Sequence, residues 1–199
     1  RQDMTEQQKR ARGNKPTSIG QKRPFTKEQV QLIRASLMAK GNWWQVALFE
    51  TALSTCLRSS DMITLTVADV GGSSVVNDRF PIRQAKTGRV VMVGLSGEAQ
   101  AAIRAVIEGQ NLGPNDRLFP VSRQHYGDLV KRWARLAHLN PKHYSTHSMR
   151  RTKPAHIYKL TKNVKVAQEL LGHTDLGHTG AYLGIGIDEA LEISKEHKL

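Results

Sequence analysis

The chain has 199 residues, 39% apolar and 24% charged, enough for one domain with a hydrophobic core, which excludes collagen-like, mucin-like and wholly disordered classes. Its 30 Lys and Arg against 17 Asp and Glu give a net charge of +13, so a polyanion such as nucleic acid is the first partner to consider. A single cysteine, Cys56, excludes an intrachain disulfide framework, and with no membrane-spanning apolar run and no secretory opening, the expected setting is the cytoplasm, without membrane attachment.

Residues 1–34 hold nine basic and three acidic residues. Residues 1–24, nearly free of large apolar side chains, read as a basic flexible arm. Phosphate contact is expected through Lys9, Arg10, Arg12, Lys15, Lys22 and Arg23. The opening on Arg1, with no initiator Met, reads as a piece of something longer. The first helix is expected from Thr26 to Ala39, with Thr26 and Gln29 at capping-box spacing and Phe25 and Val30 at staple spacing. Asn42 is placed to cap a second helix ending near Leu57, and Ser60 to Leu65 reads as a short third. The period then changes. Val75–Val76, Phe80–Ile82 and Val90–Leu95 are β-favouring, and Lys86-Thr87-Gly88-Arg89 signals a turn in a small antiparallel sheet.

Helical periodicity returns from Ser96 to Glu108, with Gly109 as its stop, and again from Ser122 to Leu139. Thr146 to Leu160 follows, where Pro154 is expected to kink or restart the helix, then Asn163 to Leu171 closed by Gly172. A short segment near Thr174 to Leu183 and a tail helix over 187–197 complete the chain. The fold class is mostly α with a small antiparallel sheet, residues 25–199 forming one domain.

Familiar catalytic patterns are missing. Gly71-Gly72-Ser73-Ser74 lacks the lysine and spacing of a P-loop, no HExxH or CxxC supplies metal ligands, and no GxSxG is present. What remains is a set of cations, imidazoles and hydroxyls. His147 and Arg150 stand at i, i+3 on one helix face, where a guanidinium grips phosphate oxygens and an imidazole moves a proton near neutrality. His173 follows Leu170-Leu171-Gly172, and Tyr182 lies nine residues beyond it.

In order, Thr55-Cys56-Leu57-Arg58-Ser59-Ser60-Asp61, Gln84 to Arg89, His147 to Thr152, Leu170 to His173 and Tyr182 resemble the five boxes of the tyrosine recombinases, the phage integrase family. Lys15-Pro16 to Glu28 and Tyr182 to Ile185 resemble a compact bacterial subgroup of integrases. Two positions depart from the family pattern: Cys56 stands where glycine is common, and Pro154 interrupts a usually continuous helix.

The resemblance implies a catalytic-domain fold of that family and a metal-free, cofactor-free reaction through a 3′-phosphotyrosyl intermediate. Tyr182 would be the nucleophile, Arg58 and Arg150 the phosphate clamps, Lys86 the acid at the leaving oxygen, His147 the proton acceptor and His173 a phosphoryl hydrogen-bond donor. Asp61 would position Arg58, and Arg151 would contact DNA. Double-stranded DNA in the bacterial nucleoid is the implied partner, with a homotetramer as the implied assembly. A type IB topoisomerase-like relaxing enzyme and a non-catalytic DNA-binding regulator on the same scaffold stay open beside this reading.

Overall fold

Thr26 and Gln29 close the expected capping box, each side chain accepting the other's amide, and α1 (Lys27–Ala39) follows. Phe25 stacks on Tyr144 with ring centroids 4.6 Å apart, and its amide donates to Thr152 Oγ1, so the start of the domain is fastened to its last third. The computed structural model describes residues 22–72 and 75–172. The segment expected near Thr174 to Leu183 and the tail helix over 187–197 lie outside the described residues.

Asn42 caps α2 (Trp43–Thr55), the axis of the domain, which is buried at every position from Val46 to Thr55. A helix buried on every face must be covered on all sides. Helix α1, α4 (Gly97–Gln110) and α6 (Thr146–Thr161) pack around it. Its one buried carboxylate, Glu50, receives two hydrogen bonds from the Arg34 guanidinium of α1, the arrangement that lets a charge stay inside. Between α2 and the sheet lies the four-residue α3 (Ser59–Met62), shorter than the expected Ser60 to Leu65.

The sheet is a single hairpin of β1 (Arg79–Arg83) and β2 (Val90–Gly94), antiparallel, with Phe80 opposite Val93 and Ile82 opposite Val91. Phe80 and Val93 point into the core. The expected strand at Val75–Val76 does not form. Val76 is buried as a plug, Val75 is exposed, and the Asn77 amide is spent on the Val70 carbonyl, which keeps this stretch out of the ladder.

Helix α4 passes the expected stop at Gly109 and ends at Asn111, which takes the left-handed cap at φ 51° and so does the work expected of glycine. Ser122 caps α5 (Arg123–Leu136), whose Trp133 meets Phe49 edge to face at 5.3 Å and donates its indole N–H to Gln45 Oε1. After a 3₁₀ turn (Pro141–His143), α6 runs unbroken through Pro154. The expected restart is absent: the helix continues past Pro154, whose ring is buried in the domain. Helix α7 (Val164–Leu171) starts at the Asn163 cap and ends at Gly172, φ 60°.

Candidate active site

Four of the predicted residues meet in one open cavity of about 440 Å³: Arg58 just before α3, Lys86 on the hairpin turn, and His147 and Arg150 on the first turns of α6. They come from three distant stretches of sequence. Arg123, at the first position of α5, lines the same cavity and is the residue that sequence reasoning missed. Its signal was a cation directly after a Ser cap, where the positive end of the helix disfavours it unless an anion is held nearby.

Arg150 is the keystone of this geometry. It is 3% exposed and donates to the Cys56 carbonyl at 2.6 Å and to the Leu171 carbonyl, so one guanidinium joins the ends of α2 and α7. Lys153, one turn further along α6, donates to the Ser54 carbonyl at 3.1 Å. Two cations of α6 thus satisfy carbonyls at the C-terminus of α2, where the helix dipole is negative.

Cys56 owes its place to this contact. At φ 53° it is the left-handed cap of α2, which explains why glycine suits the position, and that turn aims its carbonyl at Arg150. Burial raises its thiol to about 11, so the group is an inert filler. Cys56→Gly is expected to stay within about 1 kcal/mol of the parent, because relief of the backbone strain offsets the missing packing of the thiol. Cys56→Val is expected to lose about 2 kcal/mol or more, because a β-branched residue resists positive φ. Urea denaturation measures both, and an unperturbed valine variant would contradict this account of the cap.

Asp61 is 1% exposed, and its Oδ1 accepts the Ala85 amide at 2.9 Å. No ion pair joins it to Arg58 among the described residues. The contact made by this carboxylate is with the turn that carries Lys86. Arg58 is half-buried, and its Nη1 is a buried donor with no hydrogen-bond partner among the described residues.

His147 stays accessible at the cavity wall, yet its pKa is held below the ordinary 6.5, first by partial burial and then by the charges of Arg150, Arg151, Arg58 and Arg123. Its neutral form is favoured, which suits a proton acceptor. The unfolded chain takes up this proton first, so the site contributes stability fully above 6.5 and loses it as pH falls from there through the folded pKa. Arg151 is 5% exposed and lies inside the domain, not on an open DNA-facing surface. Lys22 donates to the Lys142 carbonyl, and the exposed Arg23 is anchored by its amide on the His143 carbonyl. Lys9, Arg10, Arg12, Lys15, His173 and Tyr182 lie outside the described residues. No three His, Cys, Asp or Glu gather into a metal-binding cluster among the described residues, and no described helix is long and apolar enough to cross a membrane.

A mostly helical domain thus brings three arginines, a lysine and an imidazole around one open cavity, a lining whose charge suits a phosphoryl group. The chain belongs to the phage integrase family, whose model matches residues 23–185. It is 25% identical over 158 residues to the tyrosine recombinase XerD of Yersinia pestis, covering 76% of this chain and 53% of that protein. Against the tyrosine recombinase XerC of Erythrobacter litoralis, identity is 30% over 142 residues, covering 69% and 45%. The chain spans about half the length of the curated relatives it matches. In fold it is similar to the XerA recombinase, with a TM-score of 0.69, 16% identity and coverage of 88% of this chain and 65% of that one. It is equally similar to the XerH site-specific recombinase in a post-cleavage complex with its difH substrate, with a TM-score of 0.69, 18% identity and coverage of 91% and 55%.

Proposed function

We propose that this chain is the catalytic domain of a site-specific DNA recombinase that breaks and rejoins strands through Tyr182. The observation that carries the reading is the convergence of Arg58, Lys86, His147 and Arg150 on one cavity in a chain of this family. The Tyr182 oxygen attacks the scissile phosphorus and its proton passes to His147. The bond from phosphorus to the 5′ oxygen breaks as Lys86 gives that oxygen a proton. Arg58 and Arg150, with Arg123 at the rim, offset the charge that grows on the non-bridging oxygens. One phosphodiester replaces another, so no nucleotide is consumed.

Double-stranded DNA is the substrate, a tetramer on two duplexes the working assembly, and the bacterial cytoplasm the setting. The test is covalent capture from a pool of nicked duplexes randomised around the nick. A denaturation-resistant adduct, enriched for one sequence, is expected; a folded protein that captures nothing from the pool would overturn the reading. Rejoining to a second duplex distinguishes recombination from simple relaxation of supercoils.

Two further results are expected in this assay. Capture in excess EDTA matches capture in Mg²⁺, because cations of the protein carry the electrostatic work; loss of capture rescued by one divalent ion would contradict this. Cleavage falls as pH drops below 6.5, with its midpoint under that value, as His147 takes up a proton. His147→Asn flattens this acid limb, and an unchanged limb in that variant removes His147 from the proton path.

A further inference from the structure

Gln84 is a polar side chain that the chemistry above leaves unused, yet it is only 2% exposed at the base of the Lys86 turn. Its backbone closes the turn: its amide donates to the Arg89 carbonyl and its carbonyl accepts the Gly88 amide, both at 2.8 Å. Its side chain does more. Oε1 accepts the Thr87 hydroxyl at 2.9 Å, fixing the residue next to Lys86. The other face of the amide lies against Gly172, where an added Cβ would come within 2.9 Å of Gln84 Nε2 and 3.3 Å of Val91. Gly172 is therefore required twice, for its left-handed φ of 60° and for the space that Gln84 occupies. Asp61 holds the opposite side of the turn through Ala85.

We infer that Gln84 is a positioning residue for Lys86: wedged on the α7 cap at Gly172 and bonded to Thr87, it sets where the lysine stands over the cavity. This rests on the proposed role of Lys86 as the acid that protonates the leaving 5′ oxygen. Gln84→Ala removes both the wedge and the acceptor, so the turn keeps its backbone bonds but loses its fixed seat. Misplacement of a catalytic group by about 1 Å lowers rates by up to about 100-fold.

The duplex captured by the parent protein is made with oxygen and, in parallel, with sulfur at the bridging 5′ position of the cleaved step. Sulfur leaves as a stable thiolate and needs no proton, so it bypasses Lys86 while leaving every other step in place. On the oxygen duplex, Gln84→Ala is expected to slow adduct formation by about 10- to 100-fold, and the exposed, near-isosteric Thr87→Val by about fivefold. Thr87→Ser restores the rate. On the sulfur duplex both variants, and Lys86→Ala as a control, come within about threefold of the parent. Thr87→Val keeps the test decisive even where Gln84→Ala fails to fold. Rescue of Lys86→Ala without rescue of the Gln84 and Thr87 variants overturns the positioning role alone. Failure to rescue Lys86→Ala overturns the acid role of Lys86, and the inference about Gln84 falls with it.

Discussion

Tyr182→Phe is expected to bind duplex DNA within about twofold of the parent and to form no covalent adduct, a loss of at least about 10⁴-fold, the scale on which removal of a nucleophile acts. The ring is retained and a single oxygen is deleted, so packing and charge hardly change. Filter binding measures affinity, and denaturing electrophoresis measures the adduct. Tyr144 and Tyr158 are buried in the described domain, and Tyr126 is so deeply enclosed that burial holds its phenol far above 10. None is placed to substitute. An adduct of undiminished yield in Tyr182→Phe would remove this residue from the mechanism.

Arg150→Ala is expected to fail twice over. It strips a cation from the phosphoryl cavity, an effect of about 10³- to 10⁵-fold where an arginine offsets transition-state charge. It also leaves the Cys56 and Leu171 carbonyls without their donor, at about 1–3 kcal/mol for each buried acceptor. Single-turnover adduct formation and urea denaturation read the two losses separately. Arg150→Lys keeps the charge but lacks the planar fork that reaches both carbonyls, so it recovers only a small part of either. An Arg150→Ala protein of parental stability would show that the bridge between α2 and α7 holds nothing together.

The sequence told much about the ends of elements and less about what lies between them. Thr26 and Asn42 cap helices where they were expected, and the helices expected from Ser122 and Asn163 begin at those residues, because a side-chain oxygen that takes a nearby amide is a local event that neighbouring residues decide. Val75–Val76 misled because β-propensity is silent about whether a strand finds a partner. Pro154 misled because the surroundings of α6, absent from a local reading, hold the helix together.

At the site, Arg58, Lys86, His147 and Arg150 were legible through their spacing and resemblance. Gln84 and Arg123 were not, since their roles arise where separate elements touch. Asp61 was legible as a supporting residue but not in its contact, because nothing local links it to Ala85, 24 positions away.

The bridge from Arg150 to Leu171 also has a meaning in time. A nascent chain emerges from the ribosome with Arg58 and Lys86 first, and at about 5–20 residues per second the end of α7 follows on the order of ten seconds later. Until then the carbonyls of Cys56 and Leu171 are not gathered, and α2 lacks the helix that covers its last turn. The cationic cavity is thus completed late in synthesis, once α6 and the end of α7 have both left the ribosome.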